Sequence, residues 1–171
     1  MDSLIQFNIP VSGLRDKVHR FDFQLDKSFF QCFSESPIKD GNIEVQLEFD
    51  KRPDLYVLTF DIKGTVKAIC DRCLEEFDLP LCANQSLLAK FDNSEHEEAE
   101  VIYILQGTKK LNVAKYIYEF VNLAMPIIKM HEKAGEECKK DMLKHLSSYQ
   151  QEKEASDQNP VWAALKDFDE K

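Results

Sequence analysis

In the first half of the chain apolar residues recur at every second position, the period of a strand with one buried face. Phe21, Phe23 and Leu25 alternate with polar neighbours, and so do Ile43, Val45, Leu47 and Phe49. Between these runs Ser28–Phe33 predicts a short helix, followed by a loop over Ser34–Asp40. At Lys51-Arg52-Pro53-Asp54 the proline presets its own φ for a turn, and the chain returns through Tyr56, Leu58, Phe60 and Ile62. Residues 42–66 therefore predict an antiparallel hairpin, with Gly64 marking a bulge or bend before the strand continues to Cys70. The period of two resumes at Phe77, Leu79 and Leu81 and is extended by Leu87, Ala89 and Phe91.

The period then changes. After an acidic loop over Asn93–Glu100 and a short strand over Val101–Leu105, the residues Val113, Ile117, Phe120, Val121 and Ala124 recur at helical spacing. Asn112 supplies the N-cap, and Pro126 ends the helix because the residue before a proline is pushed out of helical geometry. Lys139–Gln158 is polar and charged, a linker or a frayed helix. Asn159-Pro160 opens a further helix with Val161, Leu165 and Phe168 on one face. A helix so short does not persist alone, so Trp162 and Leu165 are expected to dock on a partner or to complete the domain's own core. The expectation is an α+β protein: an antiparallel sheet or partial barrel packed by one main helix. It divides into a domain over 1–138, a linker over 139–158 and a C-terminal helical arm over 159–171.

With 43% apolar residues, twelve of the aromatics being Phe, the chain has material for a real core and is not a disordered tail. No apolar run is long enough to cross a bilayer, and no basic-then-apolar leader opens the chain, so it is read as cytoplasmic, with no membrane partner. Five cysteines in such a setting are thiols or metal ligands rather than disulfides. The net charge of −9 disfavours the whole chain as a sequence-blind nucleic-acid binder. The charge is unevenly spread, however. Between Leu105 and His145 eight lysines face five acids, a local balance of +3 that leaves −12 on the remainder.

The sharpest chemical signal is Cys70-Asp71-Arg72-Cys73, whose spacing lets two thiols face one ion across a tight knuckle. His131 and Cys138, some sixty residues on, would complete the Cys₃His set that a structural zinc prefers. The plainer reading is a pair of reduced core thiols. A redox role is disfavoured, because the flanks are strands rather than a helix N-terminus, and Asp71, Glu75 and Glu76 would raise the thiol pKa. Cys32 and Cys82 read as buried small hydrophobes, and His96 as part of a solvated loop. No nucleophilic serine elbow, metalloprotease helix or apolar carboxylate pair is present, so neither catalysis nor a small-molecule substrate is expected.

Three stretches together resemble the YceD family, the bacterial large ribosomal RNA subunit accumulation proteins. Gly64-Thr65-Val66 runs into Cys70-Asp71-Arg72-Cys73-Leu74, like the family's strand and Cys-x-Arg-Cys. Leu123-Ala124-Met125-Pro126 precedes His131 and Cys138, with Met125 where the family has leucine. Asn159-Pro160-Val161-Trp162-Ala163-Ala164-Leu165 is similar to the motif that opens the family's terminal helix. The resemblance implies a non-enzymatic factor for the synthesis, processing or stability of large-subunit ribosomal RNA. Two mechanisms fit the residues. In one, Lys109, Lys110, Lys139 and Lys140 touch RNA phosphates. In the other, the acidic sheet holds a basic ribosomal or processing protein. A zinc-stapled interaction module without a ribosomal role is the alternative.

Overall fold

The computed structural model describes residues 4–34, 36–98 and 100–139. Lys140, Trp162, Leu165 and the C-terminal arm lie outside the described residues, as does the expected linker apart from Lys139. Alternation builds the sheet. Its strands, after a short β1 (Asn8–Ile9), are β2 (Val18–Leu25), β3 (Gly41–Lys51), β4 (Leu55–Ile69), β5 (Glu76–Asp92), β6 (His96–Glu98) and β7 (Val101–Leu105). A two-residue β8 (Leu111–Asn112) pairs with β1, a pairing that no periodicity announced. The helices are α1 (Lys27–Phe30), in the place expected though shorter, and α2 (Ala114–Ala124). The N-cap of α2 is Val113 rather than the expected Asn112, although Asn112 Oδ1 accepts the Ala114 N–H at 3.0 Å. The Asn112 amide also donates to the Leu4 carbonyl at 3.0 Å and to Asn8 Oδ1 at 2.9 Å, which ties the N-terminal segment to the helix.

The main sheet runs β2-β3-β4-β5-β7-β6. The hairpin forms in the register the alternation predicts, and Arg52 N–H closes its turn on the Leu55 carbonyl at 3.0 Å. Two expectations need correction. The sheet is mixed rather than antiparallel, because β7 pairs parallel to β5 after the chain reverses through β6 inside the acidic loop. Among the described residues its strand order is open, with β2 and β6 as the two edges. Gly64 marks no bulge either, since it pairs in unbroken register with Ile43 and Leu81. Its φ of 157° and a would-be Cβ only 2.2 Å from the Asn42 carbonyl oxygen explain the glycine instead: two backbones approach too closely for a side chain.

One face of the sheet is covered and the other is not. Phe49, Leu58, Phe60 and Ile62 are fully buried beneath α2, α1 and the N-terminal segment. Phe60 meets Phe120 of α2 edge-on at 5.1 Å, and Phe7 packs on Phe23 and Phe29. The opposite face carries Arg20, Asp22, Glu44, Glu48 and Lys63, all open to solvent. Cys32 and Cys82 are exposed, against the expectation that both are buried. Cys82 pairs with Lys63 on the open face, out of phase with the buried Phe77, Leu79 and Leu81, so its apolar strand context did not mean burial.

Candidate metal centre

Strand β4 ends at Ile69 and β5 begins at Glu76, and the turn between them presents Cys70 and Cys73 side by side. Leu74 N–H donates to the Cys70 carbonyl at 2.9 Å and Cys70 N–H to the Glu75 carbonyl at 2.8 Å, closing the knuckle. Leu74 takes a left-handed φ of 60° to do so. After α2, Pro126 releases the chain to run back along this end of the sheet. A single helical turn over His131–Ala134, closed by Gly135 at φ 76°, then delivers His131 and Cys138.

All four predicted ligands converge. Cys70, Cys73, His131 and Cys138 are buried, and their donor atoms all lie within 4.8 Å of one another. The Sγ atoms of Cys70 and Cys138 are 3.7 Å apart, and His131 Nδ1 lies 3.4 Å from Cys73 Sγ and 3.6 Å from Cys138 Sγ. A tetrahedral zinc with metal–sulfur bonds of about 2.3 Å and a metal–nitrogen bond of about 2.0 Å requires edges of roughly 3.8 Å between sulfurs and roughly 3.5 Å from sulfur to nitrogen. The donor set fits such an ion in kind, number and spacing. With four protein donors it leaves no open position for a reacting water.

The electrostatics favour a thiolate at the knuckle. Burial by itself raises the Cys70 thiol, but the backbone N–H groups of Cys73, Arg72 and His131 outweigh it and bring it down to about 6. Burial, with the adjoining Cys70 and Cys73 thiols, pushes Cys138 up to about 11. Cys70 would thus offer a metal a ready thiolate, whereas Cys138 would have to give up its proton to ligate one. The expectation that nearby acids raise the knuckle thiols fails at Cys70, because those acids face elsewhere. Asp71 Oδ2 accepts the Lys129 N–H at 2.7 Å while Asp71 N–H donates to the Lys129 carbonyl at 2.8 Å. Glu75 is paired with Lys139 at 2.5 Å. These contacts, with Arg72–Glu132 at 2.9 Å and the Phe77 ring 4.6 Å from that of His131, brace the two halves against each other. Sequence reasoning missed Asp71 as a brace. Its place inside the knuckle was the available signal.

Of the lysines expected to face RNA, the three described, Lys109, Lys110 and Lys139, do not converge. Lys139 sits at the first residues of β5, whereas Lys109 and Lys110 follow β7, whose Leu105 pairs with Asp92 at the last residue of β5. Seventeen residues of strand at about 3.3 Å each separate these ends by a contour of about 50 Å. His96, exposed as expected, stacks on Tyr103 at 3.9 Å. Among the described residues no helix is long and apolar enough to cross a membrane.

Against known proteins, neither the curated proteins nor the solved structures yield a match. The family profile described as large ribosomal RNA subunit accumulation protein YceD matches residues 58–169, which takes in β4, the knuckle, α2 and both distal ligands. A profile matching so much of the chain, over the segment that carries all four donors, places the protein in the YceD family.

Proposed function

We propose that this protein is a non-catalytic, cytoplasmic factor that promotes the synthesis, processing or stability of large-subunit ribosomal RNA, and that it works by holding a basic ribosomal or processing protein on the open face of its sheet. The family match carries the ribosomal part of the reading. The open face supports the mechanism. On β2 to β4 its bases are each occupied by an acid, Arg20 by Glu48 at 2.7 Å, Lys63 by Asp61 at 2.6 Å and Lys67 by Asp78 at 2.9 Å. Among the described residues Asp22 and Glu44 form no ion pair, since the Lys63 across from Glu44 is held by Asp61. A face with surplus acid steers a cationic protein and repels a phosphate backbone. The separation of Lys139 from Lys109 and Lys110 weighs against one RNA-binding patch. Zinc at Cys70, Cys73, His131 and Cys138 then has a structural role, fixing the chain after α2 to the end of the sheet.

The test is co-sedimentation of tagged full-length protein with ribosomal precursors, before and after ribonuclease. The expected result is a protein partner retained after digestion and lost when Glu48, Asp61 and Asp78 are replaced by lysine. Association abolished by ribonuclease, unaffected by those reversals and weakened by Lys109→Glu with Lys110→Glu would overturn the protein-partner mechanism in favour of direct RNA contact.

A further inference from the structure

The sheet has one short edge and one long one. Edge strand β6 spans three residues, whereas β2 spans eight, with no proline and no break in its register with β3. Long edges of this kind are usually blunted, because their unpaired backbone groups template another strand.

Which groups are free follows from the ladder. In an antiparallel pair only alternate residues bond across. Lys51 N–H donates to the Lys17 carbonyl at 3.2 Å, and Lys67 N–H donates to the Asp40 carbonyl at 2.9 Å. Carried along the registers of β2 with β3 and β3 with β4, both bonds turn the odd-numbered residues of β3 toward the odd-numbered residues of β2. Val18, Arg20, Asp22 and Gln24 therefore direct their N–H and C=O groups outward. Among the described residues no backbone group bonds to them there.

The two sides of this edge differ in chemistry. On the covered side a cleft of about 300 Å³ runs along β2, with Phe7, Phe21 and Phe23 in its wall. Phe21 and Phe23 are only half-buried there. On the open side lie Asp22 and Glu44, which form no ion pair of their own among the described residues, the Lys63 across from Glu44 being bonded to Asp61. An added strand would point alternate side chains to these two sides. We infer that β2 receives an extended basic segment of a partner protein as a further strand of the sheet. In that segment apolar residues that enter the cleft alternate with arginine or lysine facing Asp22 and Glu44. The inference rests on the reading of a basic protein partner and specifies how that partner is held.

The experiment uses full-length protein and a fluorescent peptide of about eight alternating arginine and valine residues, enough to span β2. Anisotropy should show binding, weakened at least tenfold by Glu44→Lys or Asp22→Pro and far less by Asp22→Asn. Proline at Asp22 removes an outward donor without removing a bond to β3. Should that variant fold poorly, N-methylation of the peptide's amides tests the same point on unaltered protein. An N-methylated peptide that binds as tightly as the parent overturns strand addition. Binding that appears only after Trp162→Asp and Leu165→Asp assigns the edge to the chain's own arm, and a dimer dispersed by Asp22→Pro assigns it to a second copy. Either result overturns the inference. If the peptide fails while the ribonuclease-resistant partner is still lost on reversal of Glu48, Asp61 and Asp78, the edge falls and the sheet-face function stands.

Discussion

The body of the sheet and the metal end of the same strands are held together by opposite means. Along β3, β4 and β5 the core residues Leu47, Leu58, Phe60, Ile62 and Leu79 are buried in continuous register, so each contact is backed by its neighbours. At the metal end the described chain after α2 forms one helical turn and leaves Ile127 at 97% and Ile128 at 55% exposure. Little apolar area anchors that segment. It is fixed by the paired Asp71–Lys129 hydrogen bonds, two exposed ion pairs and four donor atoms within 4.8 Å. Exposed ion pairs contribute at most about 1 kcal/mol each. The difference teaches that the sheet is cooperative and redundant, whereas the metal end depends on a single point.

The largest expected effect breaks that point. Structural zinc in small domains contributes apparent binding energies of about 10 kcal/mol or more. Cys70→Ser, or a strong chelator, should take bound zinc from about one equivalent to near zero in metal analysis of reduced protein. Hydrogen exchange should then rise by orders of magnitude at the Asp71, Lys129 and Glu136 amides, while the β3 and β4 amides stay protected. Zinc-free preparations of the unaltered protein would remove the ion from the account. Loss of protection across the whole sheet would show that the two regions are not separable.

The second expected effect falls on the body. Phe60 is fully buried and touches Phe120, so Phe60→Ala removes a large side chain from a site that cannot collapse freely. Such truncations cost about 3–5 kcal/mol. Urea unfolding should report a loss of that order, with zinc content unchanged. A variant that loses zinc in step with stability would mean that the sheet body positions the knuckle more directly than the contacts imply.

What the sequence revealed divides along the same line. The covered face of β3, β4 and β5 was legible because burial of one face imposes a period of two, and a one-residue slip would expose every core side chain. The four ligands were legible because zinc chemistry restricts both residue type and spacing. The parallel pairing of β5 with β7 was not, because pairing direction leaves no mark on the alternation of a strand as short as Val101–Leu105. Gly64 was legible as special but misread as a bulge: sequence gives the missing side chain, not the carbonyl that would occupy its place. Cys82 was misassigned because its apolar character was weighed above the phase of Phe77, Leu79, Leu81 and Leu87, which already puts it on the open side with Lys63.

The smallest expected effect concerns a local device that serves neither region through burial of its own. Asp26 is exposed, and its Oδ1 accepts the N–H groups of Ser28 at 2.9 Å and Phe29 at 3.2 Å and the Ser28 hydroxyl at 2.5 Å. It caps α1, which places Phe29 and Phe30 against the body of the sheet. The Ser28 hydroxyl first, then the Phe29 N–H, hold this carboxyl below its ordinary range despite the opposing cost of burial. A carboxyl whose pKa is lower in the folded chain stabilises the fold above its ordinary value of about 3.9, and that stabilisation is lost as pH falls through the lowered value. Asp26→Ala should therefore cost about 1 kcal/mol at neutral pH. The gap between variant and parent in urea midpoints should narrow as pH drops below about 4. Asp26→Asn keeps a capping acceptor without the charge, so it should retain most of the stability at neutral pH and gain on the parent in acid. A gap that stays constant across the acid range would show that α1 is held by the packing of Phe29 and Phe30 alone, and would extend the redundancy of the sheet body to α1.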